Sequence, residues 1–120
     1  MRARVFLLTA GIGVLVVFGL PILFAPYDWA DLFGWDVGRH TDLTTYFARC
    51  TGALVTALAI YALYASRAPQ RHRPLFTLVA GIGALMVLVH LRGIGAEPAS
   101  EVVEIALYAG FAGAAVWARP

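Results

Sequence analysis

Arg49, His90 and Glu104 are ionisable side chains standing inside stretches of sequence that are otherwise apolar. An arginine fork binds carboxylate or phosphate, a histidine exchanges a proton near neutral pH, and a glutamate accepts protons or hydrogen bonds. Glu101 lies three residues before Glu104, on the same side of a helix. Arg92 and Glu97 fall just outside the apolar stretches. Arg49, His90, Arg92, Glu97, Glu101 and Glu104 therefore make one candidate polar pocket, suited to holding a small polar head group or moving a proton. A purely structural alternative is an Arg49–Glu104 ion pair with His90 hydrogen-bonded beside it.

Other chemistry has less support. Ser66 and Ser100 read as loop or cap residues, with no base at a recognisable spacing. Cys50 is the single cysteine, which excludes an internal disulfide. It adjoins Arg49, but helix neighbours in sequence point in different directions, so it reads as packing. His40 and His72 fall in connections, and no ligand spacing links His90 to the glutamates. No metal and no cofactor are expected. The basic stretch from Ser66 to Pro74 reads as a topology signal that touches anionic lipid head groups. Nucleic acid would ask for a wider basic surface.

The elements that must position these groups follow from composition. Of the 120 residues, 61% are apolar and 13% charged. Soluble domains run near half apolar and a quarter charged. A chain this short cannot bury such an excess in a water-soluble core. About 20 apolar residues span the ~30 Å hydrocarbon core of a bilayer, and the sequence offers stretches at about 5–25, 44–65, 74–91 and 101–118. They are apolar all round, as helices in lipid must be. The expected fold is all-α: one domain, a four-helix transmembrane bundle. Pro21 is expected to kink or end the first helix, and Pro74 suits the first turn of the third. Small residues such as Gly11, Gly52, Gly83 and Gly110 allow close helix packing in lipid.

Charge sets the orientation. All nine basic residues are arginine. Arg2, Arg4, Arg67, Arg71, Arg73 and Arg119 fall on one side of the expected spans, without an acid among them. All seven acids fall on the other side with Arg39, Arg49 and Arg92. The positive-inside rule then places both termini in the cytoplasm of a bacterial inner membrane. Tyr27, Trp29, Phe33 and Trp35 mark the outer surface, and Tyr61, Tyr64 and Trp117 the inner one. His90 and Glu104 each come about one turn from an outer helix end, and Arg49 about five residues in. A charge at mid-bilayer costs roughly 2.5–3.5 kcal/mol on insertion scales, less near the surface.

The longest connection follows the first span. Trp29 and Phe33 share one helical face, while Asp28 and Asp31 point elsewhere. With Trp35 they read either as a short interfacial helix stopped by Gly34 or as an ordered loop.

From Phe47 onward the chain resembles small bacterial four-helix integral membrane proteins of unknown function. The matching pieces are Arg49 with Gly52, the basic loop Arg67–Arg73, the turn Gly95-Ala96-Glu97-Pro98, and Glu101 or Glu104. His90 and Arg92 stand where those proteins tend to have an arginine. The resemblance implies a four-helix bundle and no particular activity.

The leading expectation for function is a non-enzymatic membrane component that binds a partner protein or a small hydrophobic molecule through the outer-facing pocket. One alternative is a transporter or channel acting as a homodimer. Another is an intramembrane enzyme using Glu101, Glu104 and His90 as acid and base. The expected partners are the lipid bilayer, a second copy or partner membrane protein, and a small hydrophobic ligand, but not nucleic acid.

Overall fold

The computed structural model describes residues 1–93 and 100–120, and among these it is helical with no strand. Five helices account for it: α1, Arg2–Phe24; α2, Pro26–Leu32; α3, Asp42–Ala65; α4, Arg73–Gly93; and α5, Ser100–Ala118. A 3₁₀ turn, Pro69–His72, precedes α4. Helix α1, helix α3 and α4 with its preceding turn are each long and apolar enough to cross a membrane. Leu54, Leu85 and Leu107 remain 73%, 63% and 63% exposed, so large apolar side chains face outward, the reverse of a water-soluble pattern.

Two compact units make up the chain. One comprises Leu7–Arg67, the other Met1–Phe6 with Ala68–Pro120.

In the first unit α1 and α3 run antiparallel in close contact. A Cβ on Gly52 would fall within the Leu23 backbone, and one on Gly19 would come 3.1 Å from the Thr56 Cα. Only glycine permits such an approach. Helix α1 does not stop at Pro21. It widens into a π turn over Leu15–Gly19 and runs on to Phe24. Pro21 has no N–H to give the Val17 carbonyl; the Trp29 indole N–H donates to that carbonyl at 2.8 Å. Prolines and π turns are both places where the i→i−4 hydrogen-bond ladder of a helix is interrupted.

Trp29 can reach back because α2 follows at once. Pro26 opens this seven-residue helix. Its end is a Schellman motif: Trp35 N–H donates to Ala30 and Gly34 N–H to Asp31. Gly34 takes the left-handed conformation, at φ 78°. Phe18, Trp29 and Phe33 form one ring cluster, with Trp29 and Phe33 4.9 Å apart. Asp28 and Asp31 are exposed, and Trp35 is half-buried. The Tyr27 hydroxyl lies 2.9 Å from that of Thr44 and 2.7 Å from that of Thr45, which ties α2 to α3.

Helix α3 starts at Asp42, two residues before the hydropathy rise at Thr44. The cause is a capping box. Thr41 Oγ1 accepts from Thr44 N–H at 3.1 Å, and Thr44 Oγ1 accepts from Thr41 N–H at 3.0 Å. Asp42 in the first turn suits the positive end of the helix.

In the second unit α4 and α5 pair antiparallel. Phe76, Val79, Gly83 and His90 are buried along one face of α4. A Cβ on Gly83 would come 3.0 Å from the Tyr108 carbonyl and from the Ala112 Cβ. Phe6 packs between Phe76 and Phe111, at ring separations of 5.9 and 5.6 Å. Arg2 lies over the Trp117 ring, 5.5 Å from its centroid.

Candidate functional site

The α4–α5 register that seats Gly83 against Ala112 carries directly to a polar pair. His90 lies two turns beyond Gly83, and Glu104 two turns before Ala112. His90 Nε2 and Glu104 Oε2 are 3.0 Å apart, with the two side chains only 8% and 12% exposed. The other ring nitrogen, Nδ1, lies 2.8 Å from the Met86 carbonyl, one turn back on α4. The Tyr108 ring stands 4.9 Å from the imidazole at 56°.

Proton placement follows from these contacts. A carbonyl only accepts, so Nδ1 carries a hydrogen. A carboxylate also only accepts, so the 3.0 Å contact between Nε2 and Oε2 needs one further proton on that line. Imidazolium with carboxylate satisfies the count, and so does neutral imidazole with carboxylic acid. The pair is net neutral either way.

Glu104 has a second oxygen. Oε1 is buried and, among the described residues, has no hydrogen-bond partner. Buried polar atoms are satisfied in the great majority of cases, and an orphan one calls for a reason. The pair thus presents a histidine–carboxylate hydrogen bond and, beside it, an acceptor that meets no donor among the described residues.

Of the remaining candidate residues, some are only partly described. Arg92 is exposed in the last turn of α4. Glu97 lies outside the described residues, and Glu101 is described only as a residue of the first turn of α5. Arg49 belongs to the other unit. It is exposed there on α3 and lines an open depression of about 460 Å³ with Asp42, Thr45, Tyr46, Cys50 and Ala53. Among the described residues no group of three or more His, Cys, Asp or Glu side chains could hold a metal ion.

Tyr108 is the member that sequence reading passed over. Its position one turn after Glu104 puts it on the same helix face, and that spacing was the available signal. No protein-family model, curated protein or solved structure matches this chain.

Proposed function

We propose that this is a multi-pass protein of the bacterial cytoplasmic membrane with four spans in a bundle and both termini inside. Three helices are long enough to cross. The fourth, α5, has 19 residues, or about 28 Å at 1.5 Å per residue, close to the ~30 Å core. The arginine distribution supports the orientation.

Its role on this reading is non-enzymatic binding of a partner protein or a small hydrophobic molecule, at a polar site near the outer face built on His90 and Glu104. One observation carries this: the buried Oε1 of Glu104, which has no hydrogen-bond partner among the described residues. An incoming N–H or O–H donor would satisfy that oxygen while His90 holds the other. Native mass spectrometry of protein released from mild detergent tests the proposal. A discrete bound mass on the wild type, lost from Glu104→Ala, is the expected result. Equal occupancy in both proteins would remove Glu104 from the site.

The contact between two ionisable groups, His90 and Glu104, favours a second reading, proton exchange across the membrane by a dimer. Glu104→Gln keeps a donor for Nε2 but cannot ionise. In vesicles loaded with a pH-sensitive dye, that variant would lose any proton flux the wild type shows. A wild type without flux would end this reading.

A further inference from the structure

A second feature of the α4–α5 unit lies away from the His90–Glu104 pair. A groove of about 540 Å³ runs along α4, with Arg73 and Arg119 at one end and Leu78, Gly81, Ile82 and Leu85 along the rest. Its residues recur at three- and four-residue spacing from Pro74 to Leu85 and so share one helix face. That face is not the one bearing Phe76, Val79 and Gly83, which are buried. An added Cβ on Gly81 would meet nothing within 4 Å, so the middle of the groove is open. Leu78 and Leu85 on either side of it are more than half exposed.

The two ends of this groove want different solvents. Arg73 and Arg119 are exposed cations, and among the described residues neither has a carboxylate partner. Arg2, Arg4 and Arg71 belong to the same unit, and Arg2 lies over Trp117, two residues before Arg119. The field at this end is positive. From Pro74 to Leu85 the groove extends about 16 Å along the helix at 1.5 Å per residue. That is the depth of one leaflet, half of the ~30 Å hydrocarbon core.

We infer that this groove binds one anionic phospholipid, with its phosphate between Arg73 and Arg119 and an acyl chain along Leu78, Gly81, Ile82 and Leu85. Charge complementarity selects the head group, because guanidinium forks match phosphate oxygens. The apolar length selects a lipid over a free anion. Basic pockets beside membrane helices on the arginine-rich side recognise lipid head groups in this way.

The test is titration of the full chain in mild detergent with phosphatidylglycerol, phosphatidylcholine of the same chains, or inorganic phosphate, read by native mass spectrometry. The wild type should retain phosphatidylglycerol in preference to phosphatidylcholine. Inorganic phosphate should not displace it. Arg73→Gln and Arg119→Gln should each weaken retention by about fivefold. Gly81→Leu fills the groove while leaving both arginines, and should lose the lipid without loss of helical circular dichroism. Unchanged retention in the double arginine variant, or in Gly81→Leu, would overturn the inference. So would displacement by inorganic phosphate, which would leave a simple anion site.

Discussion

The Trp29 indole N–H donates to the Val17 carbonyl at 2.8 Å, four residues before a proline that has no N–H to offer it. A side chain from α2 thereby fills a gap that Pro21 leaves in α1. Removal of a partner from a backbone group costs about 1–3 kcal/mol where the group cannot reach water. This bond is exposed, so Trp29→Phe should lower stability by the smaller net worth of a hydrogen bond, about 0.5–1.5 kcal/mol, in a detergent unfolding titration. Pro21→Ala restores a backbone donor, so the Trp29→Phe change should cost less in that background. Equal costs in the two backgrounds would show that the indole bond does not compensate for the proline.

Two glycines should respond in opposite directions. Gly52→Ala drives a methyl into the Leu23 backbone, and overpacking of this kind costs typically 1–3 kcal/mol. Gly81→Ala meets open space and gains helix propensity, up to about 1 kcal/mol. Thermal melts of the two variants in one detergent give the comparison. A destabilising Gly81→Ala would show that this face is covered by protein.

The His90–Glu104 pair should show strong coupling. Glu104→Gln retains a donor for Nε2 and should change stability little. Glu104→Ala strands a buried ring nitrogen at a cost of about 1–3 kcal/mol. With His90→Phe the same Glu104→Ala change should be less damaging, because no nitrogen remains to strand. Additive single and double variants would mean that the 3.0 Å contact contributes nothing to stability.

Orientation is open to a chemical test. In a Cys50→Ser background, Asp36→Cys should react with a membrane-impermeant maleimide added to intact cells, and Arg71→Cys only after lysis. The reverse pattern would invert the proposed topology. Moving inner arginines to the outer connections should weaken the preference, since the arginine bias sets orientation.

Much of the architecture was written in the composition. Apolar runs with few charges leave helix as the backbone conformation that satisfies its own hydrogen bonds in lipid. The short helix after α1 was one of two readings the sequence left open, with Gly34 legible as its stop. The exact start of α3 was not read from hydropathy, because the Thr41–Thr44 box acts through side-chain oxygens rather than through apolar pattern. Whether Pro21 kinks α1 or ends it was left open by the sequence, and the π turn that carries the helix on to Phe24 was hidden. It depends on a donor twelve residues away in the chain.

At the candidate site, sequence alone determined that an ionisable residue of α4 and one of α5 fall at similar distances from the ends their connection joins. Helix length and span boundaries fix that depth. It did not determine which groups meet. A helix places neighbours about 100° apart, so a small rotation of α5 decides whether Glu104 turns to His90 or away from α4. The tertiary structure seats Gly83 against Ala112, and this close contact sets the rotation and register of α4 on α5. His90 Nε2 then lands on Glu104 Oε2, Tyr108 comes alongside, and Oε1 is buried without a donor among the described residues. Side-chain packing at a glycine decided what hydropathy, which has no sense of rotation about a uniformly apolar helix, left open.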